Sequence, residues 1–287
     1  MEEMTSTEVN KKQKDDAGYG RESSQDRGWA RYYNDLKDET PIMRFMSRKY
    51  FLEMIKTCRN TLMHVSTWAD VYEGLIYKQK YFTKDDKNEK SLVSLEKVYG
   101  DFFGQCWTKA KYDSELLWNA RCPNKDGVCI KTTVGRLSKS VGGIFGNTYM
   151  DYFPAYWRLD KIDYKDEALL NSWIEHFAAE ALSSFSELVN LFFVKRESFS
   201  DEDEVRLLYV HDKNDSKRIC YAKARLVQYG ISKDDFLTEV VLDPRMSMAE
   251  CQAIKCAVCK ANWRCNGTPL QVNQSSLYKA TVNEIFL

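Results

Sequence analysis

The sequence is short of the residues and runs that mark non-globular and membrane proteins. It contains 5 prolines and 13 glycines in 287 residues, while 44% of the residues are hydrophobic. This balance excludes collagen-like, mucin-like and wholly disordered chains. No apolar run approaches the roughly 20 residues that a helix needs to cross a bilayer, and the first residues lack the apolar stretch of a signal peptide. We therefore expect a globular, cytoplasmic protein without a membrane partner.

An excess of charge of either sign is also missing. Lys and Arg number 42, and so do Asp and Glu. Without a basic field, general binding to nucleic acids is not expected. Histidine is scarce too, and His64, His176 and His211 form no HExxH or Ser-His-Asp pattern. The glycine-rich stretch at 142–146 lacks the spacing and the lysine of a phosphate-binding loop, so nothing indicates an enzyme of nucleoside triphosphates.

The cysteines do not predict a disulfide framework or a metal site. Nine of them are scattered along the chain, an odd number without the spacing of a small disulfide scaffold, so we expect reduced thiols. Cys256 and Cys259 form a CxxC motif, but this motif lies in a predicted helix and no histidine follows it. A structural zinc site needs a second close pair of ligands. We therefore expect no bound metal.

The hydrophobic pattern predicts one α+β domain behind a polar leader. Residues 1–24 are polar, charged and without periodicity, whereas residues 25–287 carry the apolar patterns of a single domain. Helices and strands alternate without a regular βαβ rhythm, which favours a central mixed sheet, curved and split, flanked by helices. The predicted strands are Ile42–Phe45, Thr61–Val65, Asp101–Thr108, Gly127–Lys131, Arg158–Tyr164, Leu191–Arg196, Glu204–His211, Phe236–Leu242 and Pro269–Val272.

The same patterns predict helices between these strands. A short helix is expected near 25–36, and Ser47 is expected to cap a helix that carries Tyr50, Phe51, Met54 and Ile55 on one face. Three further predicted helices are Ser114–Ala120, Glu167–Leu191 and Ser247–Lys260.

Four separated parts of the chain resemble a mainly bacterial family known as domain of unknown function 2971. Their order and spacing fit that family across roughly 240 residues, which identifies the chain as a member. The resemblance implies a fold and a recurrent pocket without fixing a reaction. The parts that carry it are Ile42–Met46 with Ser66–Gly74, Gly104–Thr108 with Leu116–Trp118 and Gly127–Ile130, Phe193–Lys195 with Glu202–Arg206, and Val241–Ser247 with Ser275–Leu277.

A second resemblance suggests a reaction. A Glu-x-Glu motif, Glu202 and Glu204, precedes the apolar strand Val205–Val210. Together with a cation on an early strand and a hydroxyl ending a middle strand, this is similar to ADP-ribosyltransferases. The resemblance implies that Arg44 holds NAD, that Thr108 supports it, and that Glu204 stabilises the cationic ribose of the transition state while Glu202 orients the ribose or the acceptor.

Further candidates for binding the cofactor surround these residues in the sequence. Asp70 and Glu73 could hold a ribose hydroxyl or a cation, although an Asp in a loop also makes local turn hydrogen bonds. Tyr72 and Trp107 could lie beside a ring of the ligand. Arg206 shares a strand face with Glu204, because side chains two residues apart in a strand point to the same side.

The leading interpretation is therefore an ADP-ribosyltransferase-like effector that uses NAD to modify an unknown macromolecular acceptor, with a role as a toxin in bacterial stress or antiphage defence.

Three alternatives stay open. The domain could be a non-catalytic sensor of a nucleotide or a protein. It could be a metal-dependent hydrolase or nuclease built on Asp70, Glu73 and the Glu202/Glu204 pair. Finally, Glu202, Glu204 and Arg206 could form a structural ion-pair network joined to Arg44, in which case Glu204→Gln would reduce stability rather than activity alone.

Overall fold

A computed structural model describes residues 36–68, 70, 81–84, 90–93, 101–145, 155–170, 172, 189–211, 221–223 and 225–279. The leader at 1–24 and the helix expected near 25–36 lie outside this part, except for Leu36. The helices are α1 Arg48–Thr57, α2 Glu115–Arg121, α3 Val134–Phe145 and α4 Met248–Lys260. The strands are β1 Pro41–Ser47, β2 Arg59–His64, β3 Tyr81–Lys84, β4 Lys90–Val93, β5 Asp101–Thr108, β6 Gly127–Thr133, β7 Ala155–Lys161, β8 Asp163–Lys165, β9 Val194–Arg196, β10 Glu204–His211, β11 Tyr221–Lys223, β12 Leu226–Gly230, β13 Glu239–Leu242, β14 Arg264–Cys265, β15 Thr268–Pro269 and β16 Val272–Gln274.

Strand β5 is the centre of a ten-stranded sheet. Along one edge it pairs antiparallel with β10 over its whole length, and β10 in turn pairs with β7. The other edge of β5 is divided between two strands. Near its start Gly104 lies opposite Met63 of β2, and at its end Thr108 lies opposite Met43 of β1. The residues at 105–107 therefore face a gap between β1 and β2.

The sheet extends on both sides of this gap and is of mixed type. From β1 it continues through β6 and β13 to β16, and from β2 through β12 to β11. Strand β16 runs parallel to β13, whereas the other described pairs of this sheet are antiparallel. A central mixed sheet flanked by helices is thus confirmed, as expected for an α+β protein. No helix among the described residues is both long enough and apolar enough to cross a membrane.

Helices cover both faces of the sheet. The large core lies on one face, where buried side chains of α1, α3 and α4 pack with alternate strand residues such as Phe103, Trp107 and Leu207. A smaller cluster lies on the other face, where Trp118 and Cys122 of the α2 region pack with Met43 and Cys129. The face that carries α2 also carries Thr108 and Glu204 of the candidate site.

The structure corrects several predicted elements. The helix after Ser47 buries Phe51, Met54 and Ile55 as expected, but Tyr50 is exposed because its position is about 100° away from Phe51 around the helix axis. The strand predicted at 158–164 is divided into β7 and β8 at Ile162, whose backbone N–H donates to the carbonyl of Glu204.

Other boundaries shift for similar reasons. The strand predicted at 191–196 begins with a 3-10 turn, Leu191–Phe193, and the strand predicted from Phe236 begins at Glu239, because Phe236 closes a turn on the carbonyl of Ser232. The strand predicted at 269–272 is replaced by the short strands β15 and β16. Most of the helix predicted at 167–191 lies outside the described residues.

Candidate functional site

A pocket of about 190 Å³ opens at the gap between β1 and β2. Its wall combines the middle of β5 with residues from both neighbouring strands, from α2 and from the turn before β10. The lining residues are Met43, Arg44, Phe45, Met63, Trp68, Gly104, Gln105, Cys106, Trp107, Thr108, Leu117, Arg121, Glu202 and Glu204.

Strand alternation explains how residues of both sheet faces reach this pocket. Met43 lies opposite Thr108, and Glu204 also lies opposite Thr108, so these three side chains share the face that carries α2. Arg44 and Gln105 point to the other face by the same alternation. They line the pocket because β1 and β2 diverge there and leave the sheet open. The structure thus brings Arg44, Thr108 and Glu204 to one pocket.

Glu204 is held by two buried cations. Its Oε1 accepts a hydrogen bond of 2.7 Å from Nε of Arg206, and its Oε2 lies 3.3 Å from Nζ of Lys195. Glu204, Arg206 and Lys195 are 2%, 0% and 5% exposed. Arg206 also donates to the backbone carbonyl of Phe192 at 2.5 Å. Part of the ion-pair network considered as a structural alternative is therefore present.

The cations keep Glu204 ionised in spite of its burial. Burial by itself raises the pKa of this carboxyl group, but the charges of Arg206 and Lys195, together with hydrogen bonds from Arg206 and the Cys106 thiol, outweigh it. The pKa falls from the ordinary 4.5 to about 2. At neutral pH the pocket thus contains a permanently charged carboxylate, the state required to stabilise a developing cation.

Glu202 continues the network toward the pocket mouth. Its Oε2 accepts from Nζ of Lys195 at 2.7 Å, and its Oε1 is 2.8 Å from Nη2 of Arg121 at the end of α2. Lys195 therefore bridges both carboxylates of the Glu-x-Glu motif. Glu202 is 22% exposed and Arg121 39% in their side chains, so this end of the network is accessible to a ligand.

Arg44 has a different environment from the other cations. Its Nη1 donates to Oδ1 of Asn60 at 3.0 Å, and burial lowers the pKa of its guanidinium. No carboxylate among the described residues lies within ion-pair distance of it. Among the described residues, four cations, Arg44, Arg121, Lys195 and Arg206, and two carboxylates, Glu202 and Glu204, lie in or next to the pocket. Because none of these carboxylates pairs with Arg44, an anionic ligand suits its end of the pocket.

Trp68 covers the floor of the pocket. Its ring lies 4.3 Å from Cζ of Arg206, a cation–π contact, and it packs directly over Gly104. An added Cβ at Gly104 would be 2.3 Å from Cζ2 of Trp68, so only glycine fits under the ring. Trp107 is 2% exposed and donates its indole N–H to Gln105, which leaves little ring surface for a ligand. Trp68 is thus the more accessible indole.

The remaining predicted site residues are placed as follows. The hydroxyl of Thr108 accepts from the backbone N–H of Ala110 at 3.1 Å and remains at the pocket wall. Asp70 pairs with Arg196 at 3.0 Å and does not line the pocket. Tyr72 and Glu73 lie outside the described residues. Sequence reasoning gave no role to Asn60, Trp68, Arg121 or Lys195. Asn60 and Arg121 stand in no motif, and Trp68 and Lys195 lie in segments that resemble the family without a role being implied for them.

The described part of the chain offers little for a metal ion. It contains no group of three or more His, Cys, Asp and Glu side chains placed to hold one. Glu202, Glu204 and Asp70 each bind Arg or Lys, and a bound cation competes with a metal for the same carboxylate oxygens. Cys256 and Cys259 lie exposed on α4. The arrangement favours an anionic ligand over a divalent cation.

The depressed pKa of Glu204 predicts a specific loss of stability in acid. Its ion pairs stabilise the folded protein fully above pH 4.5, and this contribution is lost as the pH falls from 4.5 toward about 2. We expect the difference in unfolding free energy between the wild type and Glu204→Gln to be constant from pH 7 to 5 and to shrink below pH 4.5. Urea denaturation at a series of pH values measures it. A difference that stays unchanged down to pH 3 would contradict the assignment.

Comparison of the chain with family models, with curated proteins and with solved structures finds no match to any of the three. Membership of the domain of unknown function 2971 family and an ADP-ribosyltransferase-like fold therefore stay predictions from the sequence. The geometry by itself gives a pocket at a gap in the sheet. It is lined by the ionised, buried carboxylate of Glu204 and by Arg44, which pairs with no carboxylate of the described residues.

Proposed function

We propose that the protein is an ADP-ribosyltransferase-like enzyme that binds NAD at the gap between β1 and β2. The observation that supports this proposal most directly is that Arg44, Thr108 and Glu204 line one pocket although they are distant in the chain. These are the residues for which the resemblance implies binding of NAD, support of NAD and stabilisation of the ribosyl cation. Glu204 is ionised, as that last role requires.

The pocket is suited to one end of NAD rather than the whole molecule. Its volume of about 190 Å³ is below the roughly 300–1,000 Å³ of most ligand pockets. In the proposed pose Arg44 and Arg121 contact the diphosphate, and the nicotinamide-bearing ribose lies near Glu204. The rest of the dinucleotide extends over the open side. Breaking the bond between ribose and nicotinamide releases neutral nicotinamide and leaves an oxocarbenium-like ribose, which the Glu204 carboxylate stabilises until an acceptor nucleophile adds to it.

From the resemblance, the proposal extends to a macromolecular acceptor and to a role in bacterial stress or antiphage defence. A sensor that binds NAD without reaction is the second candidate, and one observation favours it. Both oxygens of Glu204 are already bound by cations, which limits their approach to a substrate. Binding and turnover must therefore be measured separately.

Removing the charge of Arg44 is expected to weaken NAD binding by about 10- to 100-fold, because a hydrogen bond to a charged group contributes about 1.5–3 kcal/mol. Calorimetry with NAD on wild type and Arg44→Gln measures this effect. Lys131→Gln is the matched control, since Lys131 is a cation in the neighbouring strand that pairs with Glu239 and does not line the pocket. Equal affinities for all three proteins would remove Arg44 from the site.

The same samples decide between enzyme and sensor. An enzyme releases free nicotinamide from NAD when a cell lysate supplies the acceptor, and Arg44→Gln lowers that rate at subsaturating NAD. A sensor binds NAD, with affinity reduced in Arg44→Gln, and releases no nicotinamide from any variant. Absence of NAD binding by the wild type at millimolar concentration would reject both candidates.

A further inference from the structure

A ring of hydrogen bonds lies directly behind Arg44 in the core. Asn60 donates from Nδ2 to the hydroxyl of Tyr229 at 2.9 Å, and that hydroxyl donates to Oε1 of Gln105 at 2.9 Å. Gln105 closes the ring by donating from Nε2 to Oδ1 of Asn60 at 2.9 Å. All three side chains are at most 3% exposed. Arg44 bonds to this ring through Oδ1 of Asn60.

The direction of every bond in the ring is fixed by two groups that only donate. A guanidinium has no acceptor, so Oδ1 of Asn60 must face Arg44 and its Nδ2 must face Tyr229. The indole N–H of Trp107 also only donates, at 2.8 Å, so Oε1 of Gln105 must face it. Burial raises the pKa of Tyr229, which therefore remains a neutral donor. The ring has one hydrogen-bonding arrangement, and it presents a single oxygen to Arg44.

We propose that Asn60 is a positioning residue that aims Arg44 at the pocket without neutralising its charge. This inference rests on the anion-binding part of the proposed function. An arginine withdrawn from water is usually paired with a carboxylate, and Arg44 is half-buried. A carboxylate at position 60 would have the same size and reach as the amide. The amide accepts the hydrogen bond but carries no charge. The positive charge of Arg44 is therefore available to a phosphate group of the ligand.

Asn60→Asp tests this role because it changes the charge and almost nothing else. Oδ1 keeps its three donors, namely Arg44, Gln105 and the backbone N–H of Thr61. The hydroxyl of Tyr229 can turn to donate to the new carboxylate oxygen, while Gln105 keeps its bond from Trp107. The new carboxylate pairs with Arg44. We expect the affinity for NAD to fall at least 10-fold, with an unchanged binding stoichiometry and a melting temperature within a few degrees of the wild type.

Asn119→Asp is the matched control. Its Oδ1 also accepts from an arginine, Arg245, and Asn119 does not line the pocket. The substitution adds the same negative charge to the protein, so its affinity for NAD should stay within about twofold of the wild type. A merely structural role of Asn60 would lower the active fraction, and with it the stoichiometry, rather than the affinity of the folded protein.

Tyr229→Phe provides a neutral second variant in case Asn60→Asp does not fold. It removes the hydroxyl that accepts from Nδ2 of Asn60 and so holds this amide in place, and it does not touch the pocket. We expect a several-fold loss of affinity for NAD at unchanged stoichiometry. Wild-type affinity in Asn60→Asp, or in Tyr229→Phe if the first variant is unfolded, overturns the inference and leaves the proposed function intact.

Binding of inorganic pyrophosphate tests the role of Asn60 separately from the proposed binding of NAD. If the wild type binds pyrophosphate but not NAD, and Asn60→Asp loses the pyrophosphate, Asn60 positions Arg44 for phosphate groups and the NAD function is rejected. If the wild type binds neither probe at millimolar concentration, both are rejected. Loss of NAD and pyrophosphate together in Asn60→Asp, with both retained in Asn119→Asp, supports both.

Discussion

Glu204→Gln is expected to lower the free energy of unfolding by about 3–5 kcal/mol, the range for removing one partner of a buried ion pair. The amide has nearly the size of the carboxylate but no charge. Arg206, which is fully buried, would keep its hydrogen bonds to the Oε1 position and to the carbonyl of Phe192 but lose the negative charge of Glu204. Lys195 would face an NH₂ group in place of Oε2, so that two donors oppose each other. Urea denaturation at pH 7 measures the change.

Glu239→Gln is the control for this result. Glu239 is also a glutamate on a strand of the same sheet and pairs with Lys131 at 2.9 Å, but the side chains of both partners are about one third exposed. Such pairs contribute about 0–1 kcal/mol. A loss in Glu204→Gln no larger than in Glu239→Gln would show that the buried network does not stabilise the fold. Because Glu204→Gln is expected to be less stable, its rate of nicotinamide release has to be divided by the amount of folded protein.

Substitution of a carboxylate that serves catalysis alone would leave the stability nearly unchanged. The expected loss of stability comes partly from a contact that cannot be read from the neighbouring sequence. Arg206 could be assigned to the face of Glu204 because the two residues are separated by two positions in a strand. Lys195 could not, since it belongs to β9 and reaches Glu204 and Glu202 only after the intervening turn has folded. A structural role of Glu204 and its proposed catalytic role are therefore both compatible with the same motif.

The fold was predictable where local signals were strong. Strand β5 has the bounds predicted from the sequence. The helix predicted at Ser247–Lys260 corresponds to α4, and in the structure Ser247 and Glu250 form a capping box at its start. The predicted strand boundaries were wrong where a hydrogen bond outside the strand pairing determines them, as at Ile162 and Phe236. The order of strands in the sheet has no local signal, since β1 and β2 are consecutive yet share one edge of β5 through long-range pairing.

The sequence predicted the motif residues of the candidate site but not the residues that hold them in position. Arg44, Thr108 and Glu204 were singled out by resemblance. Asn60 carries no motif, and its partner Tyr229 follows 169 residues later. A polar residue in a strand next to apolar ones is ordinarily read as solvent-facing, and only the divergence of β1 and β2 shows that it faces a buried ring. Positioning residues of this kind can be identified only when the pairing of the strands is known.

Gly104→Ala is expected to lower the free energy of unfolding by about 1–3 kcal/mol, the usual cost of overpacking, although alanine is ordinarily the better residue within a strand. The added Cβ would lie 2.3 Å from Cζ2 of Trp68, well inside contact distance, whereas its distance of 3.4 Å to the carbonyl oxygen of Leu207 is acceptable. The ring must move, and it then leaves the guanidinium of Arg206, which it contacts at 4.3 Å. Thermal and urea denaturation measure the loss.

The Trp68→Ala background shows whether the ring is the cause. Trp68→Ala removes the atoms that the new Cβ would meet, so adding Gly104→Ala to it should cost nothing and should stabilise the protein by about 0.5–1 kcal/mol, the ordinary advantage of alanine over glycine. The effects of the two substitutions are then strongly non-additive, as expected for side chains in direct contact. Equal losses from Gly104→Ala in both backgrounds would mean that the glycine is required by the backbone of β5 itself. Trp68 would then have no part in fixing the floor of the pocket.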